Sequence, residues 1–261
     1  MMGSLFLKDH IHRNLLSRNY KDSIGNLTLN EKFQVSGFVL LKNLFRKEVF
    51  ECLADDCDNI FEYCHHKNFT MPGYQTPRKM SIAGGKMIAK KSDFIPYLYI
   101  HYEICSFLSK VVGSDIFTIK HQEECFVANY LKAKGETHGW HLDDPKYALI
   151  VVIESPGNNN GGCVEIIKNW KRLCRKLKID PHGDINKGVE YAKKKNLIDT
   201  HALNTGDCYL LDAGENLHRV TPITKKNAQR KVLNLAYNHK SDITFGKTAD
   251  ILYAHETLTH E

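Results

Sequence analysis

An α+β fold built around a double-sheet jelly roll or barrel is predicted by two features of this 261-residue chain. The first part, up to about residue 115, carries apolar residues at the three- and four-residue steps of helices. From Ile116 onward, short β-prone runs alternate with turn signals such as Gly161-Gly162 and Gly206-Asp207. Helices followed by many short strands are typical of an α+β domain with an antiparallel sheet that curls on itself.

Each helix prediction rests on apolar periodicity. It is clearest at 5–18 and at 46–66, and a further helix is expected at about 95–112. Residues 69–92 hold several prolines and glycines and are predicted to be a loop. A basic stretch at about 168–197 is predicted to form one or two helices inserted among the strands.

The predicted strands are rich in β-branched and aromatic residues. A short strand at 38–41 comes before the helix at 46–66. The others follow Ile116 as the runs IFTI, CFVANYL, YALIVVIE, CVEII, CYLLD, HRVTPI and VLNLAY. We therefore predict one domain over 1–261, with a mainly helical flank at 1–115, a jelly-roll core at 116–240 and a C-terminal segment at 241–261.

Composition favours a cytoplasmic protein that does not bind nucleic acid. The formal net charge is +6 and the lysines are scattered, with no element that interleaves basic and aromatic residues, so nucleic-acid binding is not expected. No stretch reaches the roughly 18 apolar residues needed to span a membrane, and the N-terminus is a poor signal peptide. The eight cysteines include no CxxC pair, so reduced thiols are expected. The oligomeric state is left open.

The segment THGWHLDD, at 137–144, concentrates ionisable residues directly before the apolar run YALIVVIESP. In an extended segment, His141 and Asp143 project to the same side, so both can reach one ion. Two histidines and one carboxylate on one face of an octahedron are the ligand set of non-haem iron(II) oxygenases. The alternative is a polar hairpin turn.

The His-x-Asp/Glu pattern is weak by itself, because about 1.6 occurrences are expected by chance in this composition. His141/Asp143 alone lies directly before a long buried strand. The other occurrences are His101/Glu103 in a predicted helix, His121/Glu123 on or near a strand, and His182/Asp184 in a polar turn.

A third ligand and a carboxylate-binding group are found further along the chain. His218 lies on a predicted strand, and Arg230 opens an alternating strand. A guanidinium there can hold a carboxylate through a two-pronged pair. Taken singly, His218 could be a core histidine and Arg230 a charge at a strand edge.

In this order, these elements resemble the iron(II)/2-oxoglutarate-dependent dioxygenases. The resemblance is carried by His141-Leu-Asp143, Gly161-Gly162, Gly206-Asp207, His218-Arg-Val-x-Pro222 and Arg230, with GFVLLKNLF near the start. A closer similarity, to the free-lysine radical halogenases and their hydroxylase relatives, rests on TPRKMS (76–81), Glu124, HGWH (138–141) and Asp144.

The resemblance implies a fold, a metal and a reaction. The fold is a double-stranded β-helix, a cupin-like jelly roll with flanking N-terminal helices. His141, Asp143 and His218 would bind Fe(II), and Arg230 would bind the distal carboxylate of the co-substrate 2-oxoglutarate. With O2, such enzymes convert 2-oxoglutarate to succinate and CO2 and oxidise an unactivated carbon of the substrate; the cofactors supply that chemistry and the protein orients the target.

Substrate residues are also implied by the resemblance. Glu124, His138 and Asp144 match a cluster that holds an amine, and Arg78 matches an arginine that holds the substrate carboxylate. Asn234 is expected to line the same pocket, because it shares an alternating strand face with Arg230 and Val232. Trp140 is assigned to the pocket too, although a tryptophan in such a position is more often a packing residue. The chain has Ala236 where the relatives carry a polar residue, and it has no tryptophan near its C-terminus. These departures leave lysine, ornithine or another basic amino acid open, together with the carbon attacked.

Asp143 separates this chain from the halogenases, which carry a small residue at the matching position and so leave room for chloride. We therefore predict a hydroxylase. One rival is an oxygenase of another small metabolite or of a protein side chain. The other is a cupin-like metal-binding protein without turnover, which would have no need of a carboxylate-binding Arg230.

Overall fold

The structure is a computed structural model that describes residues 14–21, 23–246 and 248–253. Most of the helix predicted at 5–18 lies outside these residues. The part that is described differs from the prediction, because Leu16 forms an isolated β-bridge instead of a helical turn. A single 3-10 turn follows at Arg18–Tyr20.

The helices agree with the predictions in part. They are α1 (Ser23–Ser36), α2 (Lys47–Phe61), α3 (Gly85–Lys91), α4 (Phe94–Ile100), α5 (Tyr102–Val112), α6 (Trp170–Leu177), α7 (Ile185–Lys194) and α8 (Thr248–Tyr253). The inserted helices are α6 and α7, as predicted. The helix expected at about 95–112 is divided at His101, whose ring accepts a hydrogen bond from the Glu103 amide and caps α5. Helix α1 was not predicted.

The strands are β1 (Phe38–Lys42), β2 (His65–Met71), β3 (Thr76–Ala83), β4 (Phe117–Thr118), β5 (Phe126–Leu131), β6 (Thr137–His141), β7 (Tyr147–Glu154), β8 (Val164–Ile167), β9 (Ile198–His201), β10 (Asp207–Asp212), β11 (Leu217–Val220) and β12 (Arg230–Asn238). The prediction of a loop at 69–92 is wrong. Strands β2 and β3 form a hairpin closed by the pair Met71 and Thr76, and α3 follows. Pro72 and Gly73 lie in its short tip, where turn residues belong.

All strands join one curled antiparallel sheet, in the order β1-β10-β7-β12-β5-β3-β6-β11-β8-β9, with β2 on β3 and β4 on β12. Strand β3 connects the two halves, because Ser81 to Ala83 pair with β5 while Arg78 and Lys79 pair with β6. With helices packed outside, this arrangement confirms the predicted α+β double-stranded β-helix. Strands β1 to β3 come from the first 115 residues, so that part is more than a helical flank.

Strand β7 is buried on both faces, one packed against the helices and the other facing the inside of the curled sheet. Leu149 and Val151 pack in the same apolar cluster as residues of helices α2, α4 and α5. The alternating neighbours Ile150 and Val152 pack with Ile166 of β8 on the inner side. A strand covered on both faces is apolar throughout, which explains the run YALIVVI.

Among the described residues, no helix is long and apolar enough to cross a membrane. All eight cysteines are described and carry free thiols.

Candidate metal centre and substrate cavity

The three side chains predicted to be metal ligands lie together. The Nε2 atoms of His141 and His218 are 3.5 and 3.7 Å from Oδ1 of Asp143. The two imidazole centroids are 4.1 Å apart, and one donor atom from each of the three residues lies within 4.8 Å of the others. Two imidazoles and one carboxylate at this spacing fit an iron(II) facial triad.

Local irregularity in β6 and β11 positions these groups. His218 pairs with His141 but Val220 pairs with His138, so the two β6 residues between these pairs oppose a single residue of β11. The extra residue is a β-bulge, which turns side chains that would otherwise alternate. As a result, His138 and His141 line the same cavity, and their rings stack 3.9 Å apart.

Each ligand histidine is oriented by its own strand. Nδ1 of His141 lies 2.7 Å from the carbonyl oxygen of Gly139, and Nδ1 of His218 lies 3.0 Å from that of Asn216. Because a carbonyl oxygen only accepts, both Nδ1 atoms carry the proton and both Nε2 lone pairs remain for a metal.

The electrostatics favour a neutral imidazole at His141. Burial, followed by the charges of neighbouring histidines and Arg78, holds the pKa of His141 well below its ordinary value. Burial also raises the pKa of Asp143, although His218 opposes this shift. A buried carboxyl in this position gains from a divalent cation, since the cation compensates the desolvated charge.

A second cavity on the other side of the ligand cluster contains Arg230, which is 4 % exposed. The Tyr209 hydroxyl and the Arg230 guanidinium are hydrogen-bonded. Nη2 of Arg230 is buried and has no hydrogen-bond partner among the described residues. A buried guanidinium with one unpartnered nitrogen, next to a metal site, fits a carboxylate ligand such as the distal end of 2-oxoglutarate.

Glycines shape the wall beside Arg230. Gly161 and Gly162 both have positive φ, at 78° and 68°. A Cβ on Gly161 would overlap the Pro222 carbonyl, and one on Gly162 would lie 3.3 Å from Cδ of Arg230. Close backbone approach therefore explains this glycine pair.

Apart from Trp140, the residues predicted to bind the substrate line one cavity beside the metal ligands, which we call the substrate cavity. Arg78, Glu124, His138, Asp144 and Asn234 all line it, together with the metal-ligand residues His141 and Asp143. Arg78 is 1 % exposed and donates through Nη1 to the hydroxyl of Thr76 at 3.1 Å, while its Nε has no partner among the described residues.

The expectation that Trp140 contacts the substrate is corrected. The bulge leaves Trp140 on the other face of β6, where it packs with Leu142 and Trp170. The Arg219 guanidinium lies 4.8 Å from its ring centroid on that face. Trp140 is therefore a packing residue behind the metal site.

Three further residues of the two cavities were not found from the sequence. Asn129 lines both cavities with an unpartnered, buried Oδ1. Tyr209 contacts Arg230, and Tyr74 lines the substrate side. The strand alternation that placed Asn234 with Arg230 would also have placed Asn129 with Val127 and Leu131. Nothing local in the sequence marks Tyr74, which lies in a segment predicted to be a loop.

The other His-x-acid pairs serve different purposes. Glu123 binds the start of α3 through the Lys86 amide and side chain, and the His121 ring packs on Phe245 at 4.6 Å. His182 is exposed in the loop between α6 and α7. Within the described part of the chain, the group of His141, Asp143 and His218 is the one that meets metal-binding geometry.

Comparison with known proteins identifies the family. A family model described as halogenase D matches residues 22–256, which is most of the chain. The chain belongs to the halogenase D family. A search of curated proteins found no significant match.

Solved structures show to which fold this halogenase D family member is similar. The 2-oxoglutarate-dependent epimerase SnoN from nogalamycin biosynthesis has 13% identity and a TM-score of 0.66, with 92% of this chain and 91% of that chain covered. A prolyl hydroxylase from Trichoplax adhaerens has 15% identity and a TM-score of 0.57, with coverages of 85% and 91%. HygX from Streptomyces hygroscopicus, solved with nickel and 2-oxoglutarate, has 12% identity and a TM-score of 0.53, with coverages of 85% and 87%. The fold is that of the iron(II)/2-oxoglutarate oxygenases, as predicted.

The close approach at Gly139 gives a first test of this geometry. A Cβ on Gly139 would lie 2.7 to 2.9 Å from atoms of Pro77, including its backbone nitrogen and carbonyl oxygen. Gly139→Ala should therefore lower the free energy of unfolding by about 1–3 kcal/mol, as overpacking does, and weaken iron(II) binding because the carbonyl of Gly139 orients His141.

Chemical denaturation and a metal titration measure both effects. Gly25→Ala in α1 is the matched control, because its Cβ would meet only the Asn19 carbonyl oxygen at 3.7 Å and alanine favours a helix by up to about 1 kcal/mol. If Gly139→Ala is as stable as the wild type, the packing of β6 on β3 described above is wrong.

Proposed function

We propose that this protein is an iron(II)- and 2-oxoglutarate-dependent hydroxylase of a free basic amino acid, with L-lysine as substrate and hydroxylysine, succinate and CO2 as products. The observation that carries the proposal is the Asp143 carboxylate, 3.5 and 3.7 Å from the Nε2 atoms of His141 and His218. In this proposal, the three side chains are the protein's ligands to iron.

The same carboxylate favours hydroxylation over chlorination, although the family is described as a halogenase. In the halogenases that the sequence resembles, a small residue at this position leaves space for chloride at the metal. Here a carboxylate with a donor atom within 4.8 Å of both histidine donors fills that space. A third protein ligand leaves open positions for co-substrate and oxygen only, which is the arrangement of hydroxylating sites.

Each cofactor has residues that fit it. Bound iron and 2-oxoglutarate would supply the oxidant that breaks a C–H bond. The protein itself would bind the metal and 2-oxoglutarate and orient the substrate. Arg230 and Tyr209 would hold the distal carboxylate of 2-oxoglutarate, and the proton fixed on each histidine Nδ1 keeps both Nε2 atoms available.

The charges of the substrate cavity support a basic amino acid. Arg78 is buried with a free Nε, which suits a carboxylate. Glu124 and Asp144 line the same cavity, and a buried cation is stable only beside such anions. His138 stays neutral, because burial and the charge of Arg78 lower its pKa, so it does not repel an ammonium group.

The experiment that tests the proposal is anaerobic reconstitution with iron(II) and 2-oxoglutarate, followed by oxygen and a panel of free amino acids. Mass spectrometry would follow succinate and the oxygenated product together. Lysine-dependent succinate with hydroxylysine is expected, and chlorolysine in the presence of chloride would overturn the hydroxylase assignment. Succinate without an amino-acid product would favour the rival oxygenase of another metabolite or a protein side chain. Bound iron without succinate would favour a metal-binding protein.

Substrate affinity should depend on pH through Glu124. Burial, with Asp143 and Asp144 nearby, raises the pKa of Glu124 to about 8. An ammonium group binds the ionised carboxylate, and a carboxyl with this pKa is roughly 1% ionised at pH 6 and mostly ionised at pH 9. Affinity for L-lysine should therefore increase with pH, by up to about a hundredfold between pH 6 and pH 9, while the lysine side chain stays charged.

Calorimetric titration with L-lysine at a series of pH values measures this dependence. Glu124→Gln is the matched control, because it keeps the shape of the side chain and cannot ionise; its affinity should be low and nearly flat over the same range. A wild-type affinity that falls with rising pH would contradict the role given to Glu124.

The proposed location is the cytoplasm, supported by the eight free thiols, which persist in reducing compartments.

A further inference from the structure

We propose that Tyr74 determines which carbon of the substrate faces the metal centre. The inference rests on the proposed function, since it concerns the same cavity. Tyr74 lies between β2 and β3, in a segment to which the sequence assigned no role, and it lines the substrate cavity with Arg78 and Asp143.

The backbone holds Tyr74 in a defined place. The hairpin closes at the pair Met71 and Thr76, and the Gln75 amide donates to the Met71 carbonyl at 2.9 Å. Gly73 has a φ of 84°, which the tight tip requires. Strand β3 then continues directly to Arg78, the proposed carboxylate-binding residue, which lies four positions after Tyr74 in the chain.

The ring is held from several directions. It packs against two separate apolar clusters, one that contains Leu252 of α8 and one that contains Leu142 of the metal-binding segment. Its centroid is 5.5 Å from that of the His182 ring, in an edge-to-face arrangement. Such packing on several sides fixes a rotamer, so the cavity wall that Tyr74 forms is firm.

Tyr74 is close to Arg78, the proposed site of the substrate carboxylate, and to the proposed metal ligand Asp143. Burial raises its pKa to about 12; Asp144 and Asp143 act in the same direction, and Arg78 opposes them. The phenol is therefore uncharged at pH 7. It lies within electrostatic range of Arg78 and Asp143. A substrate whose carboxylate is on Arg78 would therefore share one cavity with this ring and with the metal-ligand residues.

The consequence is a choice among neighbouring C–H bonds. Reaction requires the target carbon to be held in a near-attack position, and a misplacement of about 1 Å can cost about a hundredfold in rate. Adjacent carbons of an aliphatic chain are about 1.5 Å apart, as in the backbone. A ring on the wall of the cavity that holds both Arg78 and Asp143 therefore decides which carbon is in range.

The test compares Tyr74→Ala, which removes the ring, with Tyr74→Phe, which keeps it. L-lysine is the probe, and the readouts are the ratio of hydroxylysine regioisomers and the succinate formed per hydroxylysine. Tyr74→Ala should change the regioisomer ratio by at least about fivefold and raise the succinate excess, because oxidation becomes uncoupled from a poorly held substrate. Tyr74→Phe should keep the wild-type regioisomer. Affinities for iron(II) and 2-oxoglutarate should stay within about twofold in both variants.

Tyr102→Ala is the control, because that tyrosine is 68% exposed on α5. Tyr74→Leu serves as a second variant that retains apolar contacts if the alanine variant does not fold. An unchanged regioisomer ratio in a folded variant, or a change confined to iron or 2-oxoglutarate affinity, overturns this inference alone. A wild type that forms no hydroxylysine overturns the proposed substrate first, and this inference with it.

Discussion

Replacing Asp143 by glycine should lower the affinity for iron(II) by more than about a hundredfold and reduce hydroxylation at least as much at limiting iron. Losing a residue that only hydrogen-bonds to a metal ligand already lowers metal affinity by about 10- to 100-fold. Here the ligand itself is lost. Asp143 is also the one carboxylate in the ligand cluster, so only two histidines would be left to hold a divalent cation. Titration of the metal-free protein with iron(II) under anaerobic conditions measures the affinity, and succinate formation measures turnover.

The neighbouring carboxylate provides the contrast. Asp144→Gly should leave iron affinity within a few-fold and instead weaken L-lysine binding, because Asp144 lines the substrate cavity and accepts a hydrogen bond from the Gly246 amide at 2.8 Å. Asp115→Gly, at an exposed position, should change neither. Normal iron occupancy and unchanged hydroxylation in Asp143→Gly would remove Asp143 from the ligand set.

Replacing Arg230 by methionine should weaken 2-oxoglutarate binding by about 30-fold to several thousand-fold. The range corresponds to about 2–5 kcal/mol, the cost of truncating one partner of a buried, hydrogen-bonded charge pair. Arg230 is 4 % exposed and its Nη2 has no partner among the described residues, so a bound carboxylate would supply the missing contact. Calorimetric titration with 2-oxoglutarate in the presence of a redox-inert divalent metal gives the dissociation constant.

The same substitution should lower the free energy of unfolding of the ligand-free protein by no more than about 1–3 kcal/mol, because the buried Tyr209 hydroxyl loses its hydrogen bond while a buried cation is removed. Arg219→Met is the matched control. Arg219 lies one residue after His218 but points outward to Glu165, 2.6 Å away, so 2-oxoglutarate affinity should be unchanged. Equal losses in the two variants would mean that Arg230 has no specific part in binding the co-substrate.

The sequence was informative where local pattern and chemistry coincide. His141 and Asp143 were singled out because they precede a strand buried on both faces, and that strand is β7. Arg230 and Asn234 were placed together by strand alternation, and both line the cavity next to the metal cluster. These predictions needed only the two-residue period of a strand, which the sequence displays directly.

Features that depend on distant pairing were not predictable. The bulge that separates Trp140 from His138 exists because β6 pairs with β11, and a one-residue change of register reverses which side chains face the core. Strand β2 was missed because HHKNFTM has little apolar alternation; its pairing with β3 determines its conformation. Helix α1 likewise has a weak apolar stripe in its sequence, and its Asn30 side chain bonds the Val111 carbonyl of α5 instead. Tyr209 contacts Arg230 only because β10 curls over the same cavity as β12.

The two carbonyl contacts that orient the ligand histidines have a consequence for how the site assembles. Gly139 orients His141 and Asn216 orients His218, each from two residues earlier on its own strand or at its start. Each half of the site is thus prepared locally, and completion requires only that β6 and β11 meet. The chain between them carries strands β7 to β10 and helices α6 and α7, and Trp170 of α6 packs in the same apolar cluster as Trp140 and Leu142 beside the ligands. The insertion should therefore tolerate changes on its exposed surface while the metal site keeps its geometry, whereas changes at its buried Trp170 should disturb the strand that carries His141.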